Sequence, residues 1–222
     1  MISGRIKKSE KISGFSAESE LHKEIKLIKS VLNKYLKNSW FPFFIKCLVE
    51  KNAIFKKTHW SKEKGIEAKF AKRLSLTVAI YNRLEKIFNE KKAFKITSEI
   101  VIPTGCSEQI KNTESLNVSN KEPMEQLLSF YGFMGISGVG RFVDRKLIKA
   151  NNDFLHYEVR NCFFSRFYYE TDTPELTKLF CLVDNEFFPR AFPDFKFHRG
   201  DSIENTMAYG KEFCTFKFEG NR

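Results

Sequence analysis

The sequence predicts an α+β fold, with N-terminal helices packed on a small antiparallel β-sheet formed mainly by the C-terminal third. Three observations predict it. Apolar residues recur every three or four positions through much of residues 18–150. Strand-like alternation comes late, at 154–162 and 213–218. Phenylalanine is concentrated there too, with 13 of the 24 in residues 151–222, which marks that third as a packed core. At 222 residues the chain is long enough to bury such a core without disulfides. Residues 18–222 are therefore read as one domain, with a helical part at 18–150 and a cysteine-bearing part at 151–222. Residues 1–17 are polar and glycine-containing, and are expected to be flexible.

The first helix follows from Leu21, Ile25, Ile28, Leu32 and Tyr35 or Leu36, which form one stripe with lysines between them. Asn38 and Ser39 interrupt it. Pro42 suits the first turn of a second helix, whose buried face is Phe43, Phe44, Cys47 and Leu48. A long helix over about 62–90 carries Phe70, Leu74, Val78, Tyr81, Leu84 and Phe88 on one side. Trp60, next to His59, is expected to pack where this helix begins. The polar stretch 103–123, which contains Cys106, reads as a long loop. A helix then starts near Pro123 with Met124, Leu127, Leu128 and Tyr131. The glycines at 132, 135, 138 and 140 fit neither phosphate-binding spacing, so a turn or close backbone packing explains them better.

In the strand 154–162, Leu155, Tyr157 and Val159 share one face, expected to pack under helices. His156, Glu158, Arg160 and Cys162 share the other, expected to line a pocket. A short helix at 163–170 follows. Another begins after Thr173 and Pro174, placing Cys181 and Asp184 on one face, with Pro189 and Pro193 breaking the pattern. A strand over 195–199, a turn at 200–202 and a last strand with Cys214, Phe216 and Phe218 on one side complete the sheet.

Composition narrows the function classes. Residues 1–95 carry 23 Lys and Arg against 9 Asp and Glu, and residues 96–222 carry 15 against 18. The lysines are scattered and lack an arginine–aromatic pattern, so solvated helix faces are expected, and no nucleic acid partner. No apolar run is long enough to span a membrane. The N-terminus has no secretory pattern, and five cysteines form no paired framework, so free thiols in a reducing cytoplasm are expected.

Cys162, Cys181, Asp184 and Cys214 are the candidate site, open to three readings. They can be core residues, since cysteine is commonly buried. They can hold a metal, although no C-x-x-C pair is present. Or a thiol can be a nucleophile, tuned by His156, Arg160 or Asp184.

The residues His156-Tyr-Glu-Val-Arg-Asn-Cys162, then Leu179-Phe-Cys181-Leu-Val-Asp184, then Gly210-x-x-x-Cys214-x-Phe216-x-Phe218 resemble the L-2-amino-thiazoline-4-carboxylic acid hydrolase family. The resemblance implies hydrolytic opening of a small heterocycle at a C–N bond. It implies Cys162 or Cys181 as nucleophile, Asp184 as general base or acid, and Cys214 completing the pocket. His156, Glu158 and Arg160 would bind substrate, with His156 and Arg160 on its carboxylate. No cofactor is expected; zinc or manganese stays open, as does a homo-oligomer. The last strand is also similar to small-molecule-binding domains of the 4-vinyl-reductase type, which gives the alternative of a non-enzymatic ligand-binding or sensor domain.

Overall fold

The computed structural model describes residues 17–137 and 139–221. Of the segment 1–17 expected to be flexible, residues 1–16 lie outside the described residues, as does the glycine at 138, and Ala17 is the first residue of a helix. Seven α-helices and one four-stranded sheet are present among them. None of these helices is long and apolar enough to cross a membrane.

The helical part begins with α1 (Ala17–Leu36) and α2 (Trp40–Lys57), joined by a single 3-10 turn. Ile28 and Leu32 of α1 meet Phe43, Phe44 and Cys47 of α2 in one buried cluster, as their spacing predicts. Leu48 departs from expectation: it lies on the outer face with Ile45 and Val49. Trp60 is buried against Phe163 and Phe167, with ring centroids 5.2 and 5.7 Å away, so it ties the helical layer to a segment a hundred residues later. The helix α3 (Ile66–Ile87) buries Leu74, Val78, Tyr81 and Leu84.

Residues 103–115 are not a loop. They continue α4 (Glu90–Ser115), which starts at Asn89, whose side chain accepts a hydrogen bond from the Lys92 N–H at 2.9 Å. Pro103 is tolerated inside this helix. Ile96, Ile100 and Cys106 give the helix a buried side. Only residues 116–122 connect it to α5 (Pro123–Ile136), where proline occupies the first turn, where its missing N–H costs nothing.

A strand that the sequence pattern does not reveal opens the sheet: β1 (Asp144–Asn151), inside what reads as the helical part. It pairs antiparallel with β2 (Phe154–Arg160), with a bulge between Leu147 and Lys149. Two helices follow, α6 (Phe163–Glu170) and α7 (Thr177–Ala191). Pro189 lies within the last turns of α7 and does not end it. Then come β3 (Phe195–His198) and β4 (Cys214–Gly220). The sheet order is β1-β2-β4-β3, antiparallel throughout, so β4 is inserted between β2 and β3.

Leu155, Tyr157 and Val159 of β2 lie beside Phe218, Phe216 and Cys214 of β4 on the covered face of the sheet. Phe130 of α5 and Phe187 and Phe188 of α7 pack over them. The approach of α4 to α7 depends on Gly105: a Cβ there would sit 2.8 Å from Val183 Cγ2. The core thus has two clusters, one among α1–α4, α6 and the start of α7, the other between the sheet, α4, α5 and α7.

Candidate functional site

The second cluster is not solid. Between the covered face of the sheet and the helices lies a cavity of about 120 Å³. Its walls are mostly aromatic and aliphatic, including Phe130, Phe180, Phe187 and Phe216. Cys162, Cys181, Asp184 and Cys214, far apart in sequence, all line it.

Each is placed by local structure. Asn161 takes a left-handed conformation, φ 52°, and turns the chain from β2 into α6 at Cys162. Cys181 and Asp184, three residues apart on α7, present one face to the cavity. Gly210 takes φ +80°, a conformation that glycine adopts without strain, and closes the turn at 207–209. That turn lets the Met207 N–H donate to Cys214 Sγ at 3.2 Å. Cys181 Sγ lies 3.7 Å from Thr206 Oγ1 in the same turn region.

Asp184 does not stand alone. Arg199, directly after β3, donates from Nη2 to Asp184 Oδ2 at 2.6 Å. Its side chain is only 2% exposed, its Nη1 donates to the Thr215 carbonyl at 3.3 Å, and its guanidinium carbon lies 4.2 Å from the Phe216 ring centre. The pattern of the sequence does not single out this arginine. It follows a four-residue strand and belongs to no motif, and only the fold brings it to Asp184.

Burial governs the protonation of the site. It raises the Asp184 carboxyl to about 6, against the pull of the Arg199 charge and hydrogen bond. Burial also pushes the Cys162 thiol to about 11 and Cys214 to about 12, and raises Cys181. At neutral pH the three sulfurs are thiols, and the carboxyl is the group poised to exchange a proton.

His156, Glu158 and Arg160 are not at this cavity. The alternation of β2 is as expected, but the cavity lies on the side of Tyr157 and Val159. The three polar residues point to the other face, where Arg160 pairs with Glu158 at 3.3 Å and Glu212 at 3.2 Å. The polar face of β2 is half-buried, and its charges meet one another rather than the cavity. Among the described residues, no group of three or more His, Cys, Asp and Glu side chains is arranged to hold a metal ion. Cys106 is buried under α7, with its Sγ 3.6 Å from the Val183 carbonyl.

The family model described as L-2-amino-thiazoline-4-carboxylic acid hydrolase matches residues 66–218, more than half of the chain. The chain belongs to that family. The matched region starts with α3 and ends within β4, so it contains every residue of the cavity wall, while α1 and α2 lie outside it. The hydrolase family acts on a small-molecule substrate. No curated protein and no solved structure matches the chain.

Proposed function

We propose that the cavity binds a small heterocycle such as 2-amino-thiazoline-4-carboxylate and opens it by hydrolysis, with Asp184 moving the proton. The observation that carries this reading is a carboxyl held near pH 6 in the wall of a ring-sized cavity. Cavities of about 150 Å³ hold benzene, so about 120 Å³ takes the bare five-membered ring, and the amino and carboxylate groups need room beyond it. A general base works best when it titrates near the working pH, and Asp184 does.

The ring carbon between nitrogen and sulfur is the electrophile. Water adds to it while the Asp184 carboxylate takes a proton. The proton passes to the ring nitrogen as the C–N bond breaks. The water oxygen ends as a carbonyl on the former ring carbon, and both water hydrogens end on the freed amine. The product keeps its C–S bond and carries the carbamoyl group on sulfur. Arg199 keeps part of the Asp184 population ionised. The thiols of Cys162, Cys181 and Cys214, protonated at neutral pH, shape the wall, and water rather than a thiolate is the attacking group.

The test is turnover of 2-amino-thiazoline-4-carboxylate with product analysis. A product with a free amine and no free thiol is expected, formed by wild type and by Cys181→Ser, and lost in Asp184→Asn. A free-thiol product would move the cleavage to the C–S bond. Binding without turnover would favour the sensor-domain alternative.

A further inference from the structure

The cavity wall contains three charged side chains: Arg145, Asp184 and Arg199. Asp184 and Arg199 neutralise each other at 2.6 Å. Arg145 is left over. It is half-buried, and among the described residues no carboxylate pairs with it. Its Nη1 donates to the Tyr131 carbonyl of α5, and its guanidinium carbon lies 4.2 Å from the Tyr131 ring centre. It stands on β1 opposite Val159, which directs it to the covered face of the sheet. One N–H group serves Tyr131, and among the described residues no carboxylate meets the rest of this planar donor fork, which stands in the wall of a mostly apolar cavity.

The glycine-rich stretch finds its purpose here. At Gly135 an added Cβ would overlap Arg145 Nη2, so only glycine leaves room for the guanidinium over α5. At Gly140 an added Cβ would come within 2.8 Å of the Met134 carbonyl oxygen, so the chain turns tightly towards β1. Two glycines thus seat one cation at the cavity. A partly desolvated cation without a counterion is costly, and a bound anion relieves that cost.

We propose that Arg145, seated on Gly135, is the anion-holding group of the cavity and selects small ring compounds bearing a carboxylate. This rests on the heterocycle reading above and deepens it by naming the residue that chooses among heterocycles. Arg145 replaces Arg160 and His156 in that role, since those two face away from the cavity.

The experiment is calorimetric titration at pH 8 with two pairs of probes. One pair is thiazolidine-4-carboxylate and thiazolidine, which carry no amidine to hydrolyse. The other is 2-amino-thiazoline-4-carboxylate and 2-amino-thiazoline. Wild type is expected to bind thiazolidine-4-carboxylate, and Asp184→Asn 2-amino-thiazoline-4-carboxylate, about tenfold or more tightly than the partner that lacks the carboxylate, the worth of a charge-assisted hydrogen bond. Arg145→Met, shown folded by circular dichroism, loses the preference, Arg145→Lys keeps part of it, and Gly135→Ala weakens it. Asp184→Asn keeps it while losing turnover. A preference that survives in folded Arg145→Met, or no preference in wild type, overturns the proposal. A preference for thiazolidine-4-carboxylate in a protein that turns over no thiazoline would sink the hydrolase reading alone.

Discussion

Arg83 joins α3 to Glu50 of α2 at the surface, through Nε at 2.7 Å and a second, shorter bond from Nη2. Arg199 joins the end of β3 to Asp184 of α7 inside the cavity wall. The geometry is alike and the setting is not: the side chains are 25% and 36% exposed in the first pair, 2% and 27% in the second. Water screens the first, so its ions have little to lose when parted. In the second Arg199 has given up its hydration, so it depends on Asp184. The cysteines repeat the lesson. Cys47, in the solid core of the helical layer, and Cys214, at the cavity, are both pushed to about 12 by burial. A buried thiol does not mark a site. What sets Cys214 apart is the void and the ion pair beside it.

The contrast can be broken at several points. Asp184→Asn should lower turnover about 100- to 10,000-fold in steady-state assays, the usual worth of a general base. Glu50→Gln should leave turnover unchanged. Unfolding in urea at pH 8 should show Arg199→Met less stable than wild type by about 3–5 kcal/mol, because a buried carboxylate loses its counterion. An Arg199→Met loss below about 1 kcal/mol would mean that the pair is as screened as the surface one.

The dependence on pH has a definite sign. Folding raises the Asp184 carboxyl from 3.8 to about 6, so the folded state holds the proton more tightly than the unfolded chain. Its contribution is fully favourable below pH 3.8 and is lost as pH rises through about 6. Wild type should therefore lose up to about 3 kcal/mol relative to Asp184→Asn between pH 4 and pH 7, as read from paired urea titrations. Over the same range kcat/KM should rise with ionisation of the base, levelling above about pH 6.

Smaller effects follow. Gly105→Ala should cost about 1–3 kcal/mol in thermal unfolding, the toll of overpacking, since the new methyl meets Val183. Arg83→Met should cost under about 1 kcal/mol in the same measurement, and a larger loss would erase the distinction between the two pairs.

Much of this was legible in the sequence where one residue type answers to one local rule. The alternation of β2 and β4 and most of the stripes of α1 and α3 follow their spacing, although Ile25 and Phe88 stand exposed, and Cys162, Cys181, Asp184 and Cys214, grouped by the family resemblance rather than by spacing, line one cavity. Three things were not. β1 is nearly all exposed on the sheet edge, so it has no apolar period to read. Residues 103–115 look like a loop because Pro103 and many polar residues hide the buried side that Ile96, Ile100 and Cys106 begin. Arg199 owes its role to a contact across 15 residues that no motif encodes. The pocket face of β2 was misjudged for a general reason. Polar residues on a strand point to water more often than to a site, and here the cavity lies on the apolar side of the strand.

The order of the strands has a consequence for biosynthesis. β4 lies between β2 and β3 but is made after both. While the ribosome is still completing it, the helical layer from α1 to α3 has all its own partners and can assemble. The cavity cannot. Cys214 and Phe216 are missing from its wall, Arg199 lacks the Thr215 carbonyl, and β3 has nothing to pair with. A nascent chain therefore carries the partners of its helical half before it carries a closed cavity wall.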